Sequence, residues 1–208
     1  MELLASGRTA HVYGIDAGRV LRRYRYDIDV AREVTYMEHV AAHGIPVPRV
    51  FDAAGRDIVM ERIDGPDLHA AFRAGRLDAA TVAGHLTDLL NLLRRVPGLA
   101  GQHVVHLDLH AENVLLGADG PVLIDWANAA DGDPDLDAAF ALLIVAEVAL
   151  VEPALRELLG LMADGVDGDP SGGLDGAIAR RLANTTLSPV ELARIPAAGE
   201  LVKAAVGQ

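Results

Sequence analysis

The stretch "HLDLHAENVLLGADGPVLIDWANA", His106 to Ala129, decides the fold. It sets His106 two residues before Asp108, Asn113 five residues after that aspartate, and a second carboxylate, Asp125, at the end of another apolar run. Polar groups set between valines and leucines are costly to bury unless they are paired or bind something.

The flanking halves differ in texture. Residues 1 to about 63 read as strands with one helix. "TAHVYGIDAGRVLRRYRY" holds two β-rich runs around the hairpin signal "DAG". "DVAREVTYMEHVAAHG", Asp29 to Gly44, carries Ala31, Val34, Met37, Val40 and Ala41 at helical spacing, with Asp29 as a cap and Gly44 just past the end. "IPVPRVFDAAGRDIVMERI" supplies two more strands. From Asp64 onward the pattern is mostly helical. Asp78 to Val96 forms a long amphipathic helix stopped by Pro97 and Gly98, and Asp135 to Val151 and Pro153 to Met162 are helical too. Ala163 to Gly173, "ADGVDGDPSGG", reads as a flexible linker or surface loop. "SPVELARI" opens a last helix, with Ser188, Pro189 and Glu191 in a capping box. The expected boundaries are therefore 1–63 and 64–208.

Composition narrows the function. The 208 residues are enough for a sizeable core, and 51% hydrophobic against 23% charged residues describes a folded chain. The absence of cysteine excludes disulfides, thiolate metal sites and cysteine nucleophiles. A formal net charge of −12 repels nucleic acid and anionic membranes, so neither is expected as a partner. The same charge suits a cationic small molecule, although an acidic, solvated surface is the plainer cause. "MELLASGRTAHVYG" lacks a basic segment followed by an apolar one. "AAFALLIVAEVALV", Ala138 to Val151, is too short for a bilayer and carries Glu147, which makes it a buried helix. A soluble, cytoplasmic protein is expected.

His106, Asp108 and Asn113 fit H-x-D-L-x-x-x-N, the catalytic-loop pattern of kinases. Phosphoryl transfer needs a carboxylate beside the acceptor hydroxyl and oxygen ligands for Mg²⁺ on the phosphates. Asp108 meets the first need, and Asn113 and Asp125 meet the second. His106 reads as a support for the loop and His110 as a local loop contact. In extended backbone His106, Asp108 and His110 share one face, which would allow a zinc hydrolase, but that reading leaves Asn113 and Asp125 unused.

On "HLDLHAEN", "LIDW" and "DGDPDLDAA" the chain resembles the aminoglycoside phosphotransferase and choline kinase group, from about Ser6 to Val151. The resemblance implies an α+β, two-lobed protein-kinase-like fold, with a small N-lobe antiparallel sheet and one helix over a mostly helical C-lobe. It implies an ATP-dependent kinase (GTP an alternative donor) that uses Mg²⁺ and acts on a hydroxyl of a small acceptor such as an aminoglycoside, amine or sugar. It further implies that Glu33 pairs with a strand cation, that backbone groups of Glu61 and Ile63 face adenine, and that Asp137 braces the catalytic loop. Two features depart from the group. Arg22, in "RVLRRYR", stands where a lysine is usual, and "ASGRTAHVYG" lacks a full G-x-G-x-x-G. These departures keep a weak pseudokinase or nucleotide-binding module as the alternative.

Overall fold

The structure, a computed structural model, describes residues 1–207. The N-terminal part is a five-stranded antiparallel sheet built from β1 (Glu2–Ser6), β2 (Ala10–Gly14), β3 (Arg19–Tyr24), β4 (Val50–Ala54) and β5 (Asp57–Glu61), in the order β1-β2-β3-β5-β4. The two-residue period of β3 turns Arg22 and Tyr24 toward helix α1 (Ala31–Ala42), where both meet Glu33. Arg23 points the other way and pairs with Asp57. The "DAG" turn forms as expected, with the Asp16 carboxylate accepting the Gly18 N–H at 2.9 Å. The N-cap of α1 is Val30 rather than the expected Asp29, whose carboxylate still accepts the Ala31 N–H at 3.0 Å, and Gly44 leaves α1 at φ +85°. β1 is an addition to the strand order read from sequence. It is exposed along its whole length, so it has no buried face to leave a period in the sequence.

The C-terminal part is mostly helical: α2 (Leu68–Arg73), α3 (Ala79–Leu93), α4 (Pro134–Ala149), α5 (Leu155–Gly165), α6 (Pro170–Leu182) and α7 (Pro189–Val206). Between α3 and α4 lie β6 (His103–Val105), β7 (Val114–Gly117), β8 (Gly120–Leu123) and β9 (Ala130–Gly132). β6 pairs with β9, and β7 with β8, each antiparallel. Helix α4 is the core of this part and is buried on nearly every side against α5, α6 and α7. Its one buried charge near the end, Glu147, is held by Arg181 of α6 at 2.8 Å. Among the described residues no helix is long and apolar enough to cross a membrane. Ser188 and Glu191 form the expected capping box at the start of α7.

The segment Ala163–Gly173 corrects the expectation of a linker. Helix α5 runs to Gly165, and α6 starts at Pro170 behind the N-cap Asp169, leaving a four-residue turn. Its glycines serve close packing rather than looseness. A Cβ on Gly173 would run into the backbone of Asp135 and Leu136 at the head of α4, whereas one on Gly172 would meet only ordinary contact. Gly173→Ala should therefore destabilise the protein by roughly 1–3 kcal/mol through overpacking. Gly172→Ala should be neutral or stabilise it by up to about 1 kcal/mol, because alanine is the better helix former. Urea midpoints of the two variants test this; equal midpoints would remove the packing account of α6.

Candidate active site

The two short ladders bring the polar residues of His106–Ala129 together. Asn113 stands just before β7 and Asp125 just after β8. The hairpin pairs Val114 with Leu123, and the Ile124 N–H donates to the Asn113 carbonyl at 2.9 Å. Asn113 and Asp125 are thus neighbours although twelve residues apart in sequence. Asn113 is buried; its Nδ2 donates to the Asp108 carbonyl at 2.9 Å and lies 3.1 Å from His110 Nε2, and its Oδ1 makes no hydrogen bond among the described residues.

Among the described residues two non-glycines have left-handed backbone, Leu107 at φ 59° and Asp125 at φ 64°. Leucine pays for that conformation and aspartate tolerates it better. The Leu107 turn is held by Asp137, whose carboxylate accepts the N–H of His106 at 2.8 Å and of Leu107 at 2.7 Å. This is the bracing contact the resemblance implied for Asp137. His106 lies fully buried beneath the loop, edge-on to Trp126, with Nε2 3.1 Å from the Ile124 carbonyl. A carbonyl only accepts, so the proton is on Nε2. With that nitrogen committed, His106 does not converge with His110, and among the described residues no cluster of three His, Asp or Glu side chains could hold a metal. His110 accepts the Glu112 N–H at 3.3 Å, a contact within the loop.

Arg22 is buried, with its guanidinium between two carboxylates: Glu33 at 2.9 Å and Asp125 at 2.5 Å. The Tyr24 hydroxyl donates to the other oxygen of Glu33 at 2.5 Å, and the Trp126 backbone supplies a further hydrogen bond. Burial pushes Glu33 upward against the pull of Arg22. Burial opposes ionised Asp125 too, but there the Arg22 charge wins and holds it below the usual carboxylate range. Asp108 is a quarter exposed; burial raises it, His110 opposes that, and the charge on Asp125 adds to it. One guanidinium thus faces two carboxylates with a third nearby, an excess of negative charge that a divalent cation would relieve. With the free Asn113 Oδ1 this oxygen set suits Mg²⁺, which takes few protein ligands and keeps its waters.

At the edge of the sheet the Glu61 N–H is spent on the Arg49 carbonyl at 2.8 Å, whereas the Ile63 N–H has no partner among the described residues. Glu61 ends β5 and Ile63 follows it, where the chain crosses to the helical part, and neither hydrogen-bonds to the cluster. Arg8 is a contact that sequence reasoning missed. From the turn between β1 and β2 it reaches the Thr186 carbonyl at 3.2 Å and Glu191 of α7 at 2.5 Å. Nothing in the spacing links positions 8 and 191.

The RIO domain family model matches residues 12–143, from β2 into α4. The chain belongs to the RIO-domain family. The kinase-like fold is as expected, and the likeness to aminoglycoside phosphotransferases is one of structure. Among solved structures this RIO domain is similar to the aminoglycoside phosphotransferase APH(4)-Ia, with TM-score 0.60 and 15% identity over 96% of this chain and 93% of that one. The apo form of a thermostable mutant of that enzyme gives TM-score 0.64 at 14% identity over 99% and 93%. The streptomycin-ATP-APH(2")-IIa ternary complex gives 0.62 at 14% over 87% and 82%. At such identities the likeness is one of fold. No curated protein matches the sequence.

The brace has a consequence for pH. Burial pushes Asp137 from 3.8 up to about 6 and holds His106 down from 6.5 to about 4. Between pH 4 and 6 the folded protein keeps an Asp137 proton that the unfolded chain lacks, so this group's contribution to stability falls as pH rises. Between pH 6.5 and 4 the unfolded chain takes up a His106 proton that the fold refuses, so stability falls as pH drops. The two slopes oppose each other, each up to about 1.4 kcal/mol per pH unit. Asp137→Asn removes the first alone. Relative to wild type, its urea-unfolding free energy should decline from pH 6.5 toward 4.5; parallel profiles would contradict the upward shift of the buried Asp137.

Proposed function

We propose that this RIO domain is an ATP-dependent kinase that transfers the γ-phosphate to a hydroxyl of a small molecule. The observation that carries the reading is the convergence of Asp108, Asn113 and Asp125 around a loop held in a strained conformation, since such strain persists where surrounding structure enforces it for function. Residues 1–63 would act as an N-lobe covering the nucleotide and 64–208 as a C-lobe carrying the chemistry; a structural neighbour, APH(2")-IIa, holds ATP and streptomycin together.

In this reading the Ile63 N–H and a Glu61 backbone group face adenine. Arg22, aimed by Glu33, contacts the phosphates as a planar fork in place of a lysine's point charge. Asn113 and Asp125 would hold Mg²⁺, which would supply positive charge to offset that of the phosphates. Asp108 orients the acceptor hydroxyl and takes its proton; its raised pKa brings it toward the working range of a base. Asp137 keeps the loop in register through two N–H groups.

A binding-only module is the second reading, favoured by the contact of Arg22 with Asp125, which occupies one oxygen of the proposed metal ligand. Transfer from radiolabelled Mg-ATP to a panel of hydroxylated small molecules separates the two. An active wild type should lose about a hundredfold or more in transfer rate on Asp108→Asn, the scale of one positioned acid–base group, with ATP affinity unchanged. ATP binding without transfer to any acceptor and without slow hydrolysis would favour the module.

A further inference from the structure

The cleft beside Asp108 lacks the acidic excess of the protein as a whole. It is a cavity of about 330 Å³, the size of a small-ligand site, walled by Leu107 and Asp108 of the loop, Phe140 of α4 and the end of α6 with the turn beyond it. Asp108 is the sole carboxylate in this lining, and Arg180 and Arg181 stand across from it. Arg181 is matched from within: its fork lies on Glu147 at 2.8 and 3.3 Å, so the Glu147 charge is spent. Arg180 is exposed and makes no hydrogen bond or ion pair among the described residues. Asn128 and Thr185, also in the wall, have no side-chain hydrogen bond either.

We infer that the acceptor is a hydroxylated molecule bearing a phosphate or a carboxylate, with Arg180 as the residue that receives the anion. The inference rests on the phosphotransferase reading of Asp108 and names its substrate class. A polycation entering this cleft meets a single carboxylate, one already committed to the acceptor hydroxyl, and an unmatched guanidinium. An anion meets a free fork of N–H donors at Arg180 and neutral polar groups beside it. The dipole of α6 accounts for basic residues in its last turn. It does not account for a lining without a second carboxylate in a chain of net charge −12. Residues 152–208, beyond the kinase motifs, thereby acquire a role: their turn after α6 builds the acceptor wall.

Calorimetric titration of the whole protein with glucose 6-phosphate, gluconate, neutral glucose and the polycation kanamycin tests the inference, with the first two separating phosphate from carboxylate. At least one anion should bind more tightly than glucose and kanamycin. Arg180→Glu should weaken that anion by about tenfold or more, the scale of a lost charge-assisted hydrogen bond, and leave ATP affinity unchanged. Tighter binding of kanamycin, no preference for either anion over glucose, or an Arg180→Glu variant that binds the anion as wild type does would each overturn it. Failure of the parent reading looks different. A protein that binds the anion through Arg180 but never phosphorylates it retains the assignment of the pocket and loses the kinase. One that phosphorylates kanamycin in preference to the anions retains the kinase and loses the assignment.

Discussion

A single buried guanidinium, that of Arg22, stands between the carboxylates of Glu33 and Asp125, and the arrangement of the site depends on it. The pair with Glu33 ties β3 to α1, and the pair with Asp125 ties both to the turn after β8. Around this centre α1 is fastened to the helical part by neutral and charged contacts: Arg32 to the Ala129 carbonyl, and Tyr36 to Asp131. Taking away one member of such a buried set strands the others, at a cost of about 3–5 kcal/mol, so the cluster is structural as well as chemical.

The second constraint is backbone strain. Leu107 and Asp125 sit in left-handed conformation at the two ends of the candidate site, and each is held from outside its own segment. Asp137, at the head of the most buried helix, grips the first. Arg22 grips the side chain of the second. The core of the C-terminal part and the cation of the sheet therefore act on the two loops that flank the β7–β8 hairpin, and the buried His106–Trp126 contact lies between them.

Much of this was legible in the sequence because it is local. The capping box at Ser188, the turn at Asp16–Gly18 and the helix after Asp29 follow from side chains hydrogen-bonding near neighbours. The catalytic-loop spacing is also local, and the β7–β8 hairpin turns it into proximity. What stayed hidden depends on distant partners. β1 is exposed and shows no period. Gly173 reads as a linker until α4 is seen to lie against it. Arg22 was already the aligned residue, and the contacts of β3 bear it out: Arg22 meets Glu33 while Arg23 turns to Asp57. The Arg8 contact and the arginines beside Asp108 arise from elements at opposite ends of the chain.

The claim at the centre of this account is that the buried cluster carries an excess of negative charge suited to a divalent cation arriving with a nucleotide. Calorimetric titration of ATP into wild type and Asp125→Asn, with Mg²⁺ and with EDTA, tests it directly. Wild type should bind ATP more tightly by about tenfold or more with Mg²⁺ present, a gain of about 1.4 kcal/mol or greater, and Asp125→Asn should lose that gain while remaining folded. Equal ATP affinity with and without Mg²⁺ in wild type, or an undiminished gain in Asp125→Asn, would contradict it.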